Sequence, residues 1–260
     1  MRKITYGLTA LAASMFLAGC NNMGGAQSTE GLLQAGAGLY KAATLSDAEI
    51  VQMSDAACKQ SDAESQVAGP KSKYTVRLNR LMKGFGNMTL NGQKVDYKVY
   101  MTKDVNAWAM GNGCVRVYAG LMDLMNDDEL RGVIGHEMGH VALGHSKAAM
   151  QTAYTVSAAR SAAGAAGGSV VSSLSQSQLG DLTEKFINAQ FSQSQEIAAD
   201  DYSFDLLTEK KMNRKGLVTA FEKLAKLESG AEHSMFDSHP SSPERAARMQ
   251  ERLAQSAKKK

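Results

Sequence analysis

The sequence carries almost no excess charge. Its 260 residues include 29 Lys or Arg and 26 Asp or Glu, so the formal net charge at pH 7 is only +3. Arg2 and Lys3 belong to an N-terminal segment that we expect to be removed, which leaves 27 basic and 26 acidic residues. Proteins that bind nucleic acid normally show a clear basic excess or a basic patch. The charge balance therefore argues against a nucleic-acid partner.

Cysteine is scarce as well. The chain has three cysteines, and Cys58 and Cys114 are the two that lie outside the N-terminal segment. They are too few and too far from the histidines to form a zinc knuckle. In an oxidising compartment they could form a disulfide, which would stabilise the fold by roughly 2–4 kcal/mol. The alternative is a pair of free, buried thiols.

Long hydrophobic runs are missing too. The apolar stretch from Ile4 to Leu17 follows two basic residues and ends in small residues before Cys20. It is shorter than the roughly 20 apolar residues that a membrane-spanning helix needs. This arrangement is typical of an export signal. We therefore expect the mature chain to function outside the cytoplasm.

The segment Leu17-Ala18-Gly19-Cys20 resembles the lipobox of bacterial lipoproteins, whose cysteine becomes the acylated first residue of the mature protein. The resemblance implies a signal peptide at residues 1–19 and a lipid anchor on Cys20, and two or three acyl chains suffice for stable attachment. The next residue is Asn and not Asp. By resemblance to lipoprotein sorting, this favours the outer membrane of a Gram-negative cell, with the protein facing the periplasm. The alternative is an ordinary cleaved signal with an incidental cysteine.

After the signal, composition divides the chain into a tether and a domain. Residues 20–45 are rich in Gly and Ala and show little periodicity, which predicts a flexible tether. Residues 46–260 have a length suited to one domain. Within them, residues 155–180 are mostly Ala, Gly and Ser, a composition that packs poorly as a core helix. We predict a mobile or loosely helical insertion near the functional site, with membrane contact as the less favoured reading.

Local patterns in the domain predict several helices and a small sheet, and hence an α+β fold that is mostly helical. Ser46 and Ser72 are candidate N-caps, the first within a capping box. Residue types that alternate with a period of two from Val95 to Met101 predict a half-buried strand. A Gly-Asn-Gly turn within residues 106–118 predicts a hairpin. Helical periods also cover residues 182–207, 213–228 and the segment after Ser242-Pro243.

The motif His136-Glu137-Met138-Gly139-His140 is the strongest chemical signal in the chain. On a helix that continues to Ser146, the two histidines leave the same face one turn apart, which is the geometry of a two-histidine metal clamp. Glu137, about 100° away, could reach a water on the bound ion without being a ligand. His145 would lie about 180° from His136 on such a helix. We therefore predict that His145 points away from the metal.

A catalytic zinc site needs three protein ligands and one open position. Glu196 offers a third ligand on a separate predicted helix. Asp200 lies one turn further on the same face and could accept the second ring N–H of a ligating histidine. The sequence thus predicts a site assembled from two helices.

These two motifs, together with Asn106-Ala107 and His239-Pro240, resemble the HtpX and CAAX-prenyl-protease class of gluzincin metallopeptidases. The resemblance extends from about residue 46 over most of the chain and is weak in the Ala- and Gly-rich insertion. It implies a zincin-type domain with a small sheet edging the active-site cleft. It also implies hydrolysis of peptide bonds within polypeptides, namely unfolded or misassembled proteins of the cell envelope.

The resemblance implies specific roles for the site residues. One zinc ion would be bound by His136, His140 and Glu196, and Glu137 would take a proton from water and deliver it to the leaving amine. His239 would lie near the metal. There it could stabilise the oxyanion, or occupy the open position as a fourth ligand and keep the enzyme latent. A surface histidine beside the last helix is a further alternative.

Two structural expectations and two rival functions remain. Arg245 is a weaker candidate for the oxyanion donor, and a solvated helix residue is the preferred interpretation. The hairpin should place a sheet edge beside the metal, where an exposed edge could pair with an extended peptide; an internal strand is the alternative.

The rival functions are a non-catalytic zinc lipoprotein that acts as a chaperone or scaffold, and a zinc hydrolase of small molecules or cell wall. Retention of Glu137 and the expected sheet edge favour the peptidase.

Overall fold

The computed structural model describes residues 44–160, 174–227, 235, 238–239 and 243–258. The predicted signal peptide, Cys20, most of the tether, residues 161–173 of the predicted insertion and Pro240 lie outside the described residues. The helices are α1 (Asp47–Glu64), α2 (Lys73–Phe85), α3 (Ala119–Leu124), α4 (Asp127–Ala142), α5 (His145–Arg160), α6 (Gln176–Ile187), α7 (Gln193–Glu209), α8 (Lys215–Leu227) and α9 (Pro243–Lys258). The strands are β1 (Thr89–Leu90), β2 (Gln93–Lys94), β3 (Asp96–Tyr100), β4 (Ala107–Ala109) and β5 (Cys114–Tyr118). The predicted α+β class, mostly helical with small sheets, is confirmed.

The predicted helix starts agree with the structure. Ser46 and Glu49 form the expected capping box at α1, in which each side chain bonds to the other residue's backbone N–H. Ser72 caps α2 by accepting from the N–H of Tyr74. Among the described helices, none combines the length and the apolar character needed to cross a membrane.

The main sheet has three strands in the order β3-β5-β4. β4 and β5 form the predicted antiparallel hairpin, and Gly113 at its turn has a φ of +81°, which favours glycine. β3 runs parallel to β5. β4 is therefore an edge strand, as expected, but all three of its residues are buried, so the edge is covered and not exposed. A short helix, α3, separates the hairpin from α4.

Helix α4 is the central element of the domain. Asn126 and Glu129 form a capping box at its start, and its face packs on both α7 and α8. Two glycines allow α7 to come close. A Cβ on Gly135 would lie 2.6 Å from Ser203 Oγ, and one on Gly139 would lie 3.1 Å from Ala199 O. These glycines set the separation of the two helices that carry the site.

The boundaries of two predicted helices were wrong. α4 ends at Ala142, because Gly144 takes a φ of +77° and turns the chain, and a new helix begins at His145. The predicted helical run over residues 182–207 is broken between α6 and α7, where Ser192 starts a new capping box. Within the predicted insertion, residues 155–160 end α5, residues 176–180 begin α6, and residues 161–173 lie outside the described residues.

Cys58 of α1 and Cys114 of β5 form a disulfide. The alternative of two free thiols is therefore wrong. Beside the bond, the buried Arg116 donates to both carboxylate oxygens of Asp62 and to Asp96 Oδ2. The disulfide and this ion-pair network together join α1 to the sheet.

Removal of the disulfide should destabilise the domain without changing the metal centre. The bond closes a loop with a sequence separation of 56 residues. The double variant Cys58→Ala/Cys114→Ala should lose about 2–4 kcal/mol of unfolding free energy, because its unfolded chain is less constrained. Urea unfolding of wild type and variant measures this difference, with the wild type under reducing conditions as a second comparison. An unchanged urea midpoint would contradict the prediction.

Candidate metal centre

Helices α4 and α7 bring the three predicted ligands together. His136 and His140 lie one turn apart on α4, with their Nε2 atoms 3.1 Å apart. Glu196 faces them from α7, its Oε1 3.2 Å from His140 Nε2 and its Oε2 3.4 Å from His136 Nε2. All three side chains are at most 1% exposed. The predicted two-helix assembly is present.

His239 joins this cluster. Its Nδ1 lies 2.9 Å from Glu196 Oε1 and 3.3 Å from His136 Nε2. Its Nε2 lies 3.5 Å from Glu137 Oε1. The side chain is only 6% exposed. The alternative of a surface histidine is therefore wrong.

The donor set fits a zinc ion. Ligands at about 2.0–2.1 Å from a tetrahedral zinc are about 3.3 Å from each other, close to the separations between the nitrogen and carboxylate atoms here. One ligand atom from each of His136, His140, Glu196 and His239 lies within 4.8 Å of all the others. Among the described side chains, Glu137 is buried with no hydrogen-bond partner at Oε1, a costly arrangement unless a polar group occupies the site. His136, His140 and Glu196 would hold the ion.

Asp200 and Arg245 support the ligands from behind. Asp200 Oδ1 lies 2.9 Å from His136 Nδ1, as predicted for an outer-shell carboxylate. Arg245, on α9, donates to both oxygens of Asp200 and places Nη1 2.5 Å from Glu196 Oε2. It is 5% exposed, so its prediction as a solvated helix residue was wrong. The two carboxylates of α7 offset the cost of burying its charge, and its guanidinium also lies over the Phe221 ring.

Burial and charge determine the protonation of the cluster. Burial raises the pKa of Glu137 and lowers the pKa of His140 well below its usual value. Burial also acts to lower the pKa of His136, but the carboxylates of Glu196 and Asp200 outweigh it and raise this pKa to about 10. The negative charge that favours a protonated His136 is the same charge that would attract a metal cation.

Two residues beside the cluster were not predicted there. His145 Nδ1 lies 3.1 Å from His140 Nδ1, so the prediction that His145 points away from the metal was wrong. The cause is the break at Gly144, which the assumption of one continuous helix ignored. Phe191, in the loop between α6 and α7, stacks on the His140 ring with centroids 3.9 Å apart. No motif in the sequence marks Phe191.

A cavity of about 530 Å³ opens beside the cluster. His145 and Phe191 lie on its wall, and both pack on His140. Small side chains of α5 form one side, including Ala149 and Ala153, and α6 contributes Glu184 on the other. This is space for a ligand close to His140, although none of the four cluster residues lines the cavity.

Comparison with known proteins agrees with this geometry. Residues 72–253 match the family described as peptidase family M48. Metalloprotease LoiP of Escherichia coli (strain K12) is 53% identical over 252 residues, which cover 97% of this chain and 98% of that protein. Metalloprotease YcaL of the same strain is 53% identical over 248 residues, covering 95% and 96%. Protease HtpX of Actinobacillus pleuropneumoniae (serotype 5b, strain L20) is 43% identical over 53 residues, 19% of this chain and 18% of that protein. The family match contains every residue of the cluster.

Proposed function

The chain belongs to peptidase family M48, and we propose that it is a zinc-dependent endopeptidase anchored as a lipoprotein in the outer membrane. Its activity as a metalloendopeptidase follows from the family and from its similarity to LoiP and YcaL. The proposed substrates are unfolded or misassembled envelope proteins on the periplasmic side. The proposal of zinc rests on the buried cluster of His136, His140 and Glu196.

Glu137 is the proposed general base. Its carboxylate is 2% exposed and its Oε1 faces the cluster, 3.5 Å from His239. Because burial raises its pKa, this carboxylate is a better proton acceptor than an exposed Glu. A bound zinc would acidify a water and polarise the scissile carbonyl. Glu137 would accept the proton of the water and pass it to the nitrogen of the leaving amine.

The distances around His239 favour its role as a fourth metal ligand that keeps the enzyme latent over its role as a donor to the oxyanion. Its Nδ1 lies among the ligand atoms, where a catalytic site keeps a position for water. Met235 and Ser238, which precede His239 in the same segment, make two further contacts. The N–H of Met235 donates to Val105 O at the sheet edge, just before β4. The N–H of Phe191 donates to Ser238 O. We propose that this conformation is a closed state, in which His239 occupies the metal position and Met235 bonds to the sheet edge at Val105.

The edge strand supports a polypeptide substrate. β4 is the last strand of its sheet, and its outer side is covered by chain segments of the protein itself. Ser146 Oγ, for example, donates to Ala109 O. If Met235 and His239 move away, the edge is freed at Val105, and an extended peptide could add there. The rival function as a non-catalytic scaffold offers no role for a buried carboxylate at Glu137, although a latent enzyme remains consistent with the closed cluster.

Anchoring and substrate choice can be tested together in cells and with purified protein. Wild type should fractionate with the outer membrane, and Cys20→Ala should move to the soluble fraction because the acyl chains are lost. Ser28→Ala, in the same predicted tether, is the matched control.

Purified protein should cleave an unfolded envelope protein faster than its folded form, and a zinc chelator should stop this cleavage. Soluble wild type would overturn the proposed anchor, and equal cleavage of both forms would overturn the proposed substrate class.

A further inference from the structure

We propose that His145 is a positioning residue that holds His140 in the tautomer required for metal binding. The proposal rests on the metal centre proposed above. His145 Nδ1 lies 3.1 Å from Nδ1 of His140, which is the ring nitrogen directed away from the cluster. The other ring nitrogen, Nε2, faces His136 and Glu196. His145 therefore contacts His140 on the side opposite to the candidate metal position.

The tautomers of the two rings follow from this geometry. A neutral imidazole carries one N–H and one lone pair. To bind a metal through Nε2, His140 must present its lone pair there and carry its proton on Nδ1. That N–H then donates to Nδ1 of His145, which must carry its own proton on Nε2. Without an acceptor at this position, His140 would be free to take the other tautomer, in which Nε2 is protonated and cannot bind metal.

Each of the two motif histidines thus has its own partner. His136 has the carboxylate of Asp200, with 2.9 Å between Nδ1 and Oδ1. His140 has a second imidazole. The buried site already contains the carboxylates of Glu137, Glu196 and Asp200, with Arg245 as their cationic neighbour. A neutral acceptor at His145 orients His140 without adding another buried negative charge, which would be costly.

The fold holds His145 firmly in this position. Gly144 turns the chain at the end of α4, and His145 is the first residue of α5. The next residue, Ser146, is fully buried and bonds to Ala109 O of the edge strand. Phe191 covers one face of the His140 ring. His140 is consequently confined by a stacked ring on its face and by a hydrogen-bond partner at its outer nitrogen.

The test compares His145→Asn with His145→Leu. Asn Oδ1 is bonded to Cγ in the same way as His Nδ1, so it can accept the same hydrogen bond, whereas Leu can only fill space. The dissociation constant for zinc is measured by competition with a chromogenic chelator. We expect His145→Leu to weaken zinc binding about 10- to 100-fold, the usual effect of losing an outer partner of a metal ligand. His145→Asn should remain close to wild type, as should the control Thr152→Ala, an exposed residue of the same helix.

¹⁵N NMR of the histidine side chains distinguishes a positioning role of His145 from a packing role. In ¹⁵N-labelled wild type, His140 should show a protonated Nδ1, and this signature should persist in His145→Asn but not in His145→Leu. Equal zinc affinity in all variants, or equal weakening in Asn and Leu, would overturn the proposal. If His145→Leu does not fold, His145→Ala takes its place in the same comparison. Failure of wild type to bind zinc would instead overturn the proposed metal centre, and neither result depends on peptidase activity.

Discussion

Glu137→Gln should reduce peptide-bond cleavage by about 10²- to 10⁴-fold, the contribution expected of a positioned general base. The amide cannot take a proton from water, yet it is nearly the same size and fits the same buried space. The zinc ligands His136, His140 and Glu196 remain unchanged, so bound zinc should stay at one ion per chain. Cleavage of an unfolded protein and metal content are measured on the same preparations.

A matched control keeps this result interpretable. Glu209→Gln removes a carboxylate from α7 at a position whose side chain is 71% exposed, far less buried than that of Glu137. It should cleave like wild type. If Glu137→Gln cleaves at the wild-type rate with zinc bound, Glu137 is not the base. If it loses zinc as well as activity, the loss of rate says nothing about proton transfer, and the role assigned to Glu137 loses its support.

His239→Ala should increase the rate of cleavage. The side chain lies within the ligand set, and the N–H of Met235 bonds to Val105 O at the sheet edge, so the proposed closed state would exclude both water and substrate from the metal. When a substrate binds only the open state, its apparent affinity equals its affinity for that state multiplied by the fraction of molecules that are open. Each 1.4 kcal/mol by which His239 stabilises the closed state should therefore appear as about a tenfold gain in kcat/KM for the variant.

The opposite outcome would identify the other role. A transition-state donor predicts a large fall in kcat with zinc retained, because the oxyanion loses a hydrogen bond. Ser238→Ala is the control, since it changes the neighbouring residue of the same segment and removes only a hydroxyl contact to Met235 O. It should leave the rate near wild type. A fall in kcat for His239→Ala with unchanged zinc content would overturn the proposed closed state.

The results for Glu137→Gln and His239→Ala together would describe how the enzyme is controlled. The segment with His239 is tied at Met235 to Val105, next to the edge strand, and at Ser238 to Phe191, which stacks on His140. Its departure would expose the metal position and the sheet edge at Val105 in one movement. Substrate access and completion of the active site are therefore expected to be coupled.

Residues that act through local spacing could be predicted from the sequence. His136 and His140 share a face because they are four residues apart on one helix, and Glu196 and Asp200 do so for the same reason on another. The caps at Ser46 and Ser72 and the turn at Gly113 also depend on neighbours in the chain. The pairing of Cys58 with Cys114 was predicted only as one of two possibilities, because it depends on how α1 packs on the sheet.

Residues that act across the fold could not be predicted in this way. Arg245 resembles any exposed arginine of an amphipathic helix until α9 packs against α7 and presents it to Asp200 and Glu196. Phe191 lies in a loop that looked like part of a continuous helix. His145 was placed on the wrong side because a positive φ at Gly144 ends α4 and turns the chain.

The sequence by itself determined the chemistry of this protein: a metal clamp, a base and a third ligand, each set by residue type and helical spacing. The tertiary structure decided how complete that site is. Only the packing of α4, α5, α7 and α9, with the turn before α9, shows that His239 lies among the ligands, that Arg245 neutralises the carboxylates behind them, and that His145 contacts His140. The physical reason is that hydrogen bonds and ion pairs between distant segments depend on three-dimensional distances, which short-range periodicity does not encode.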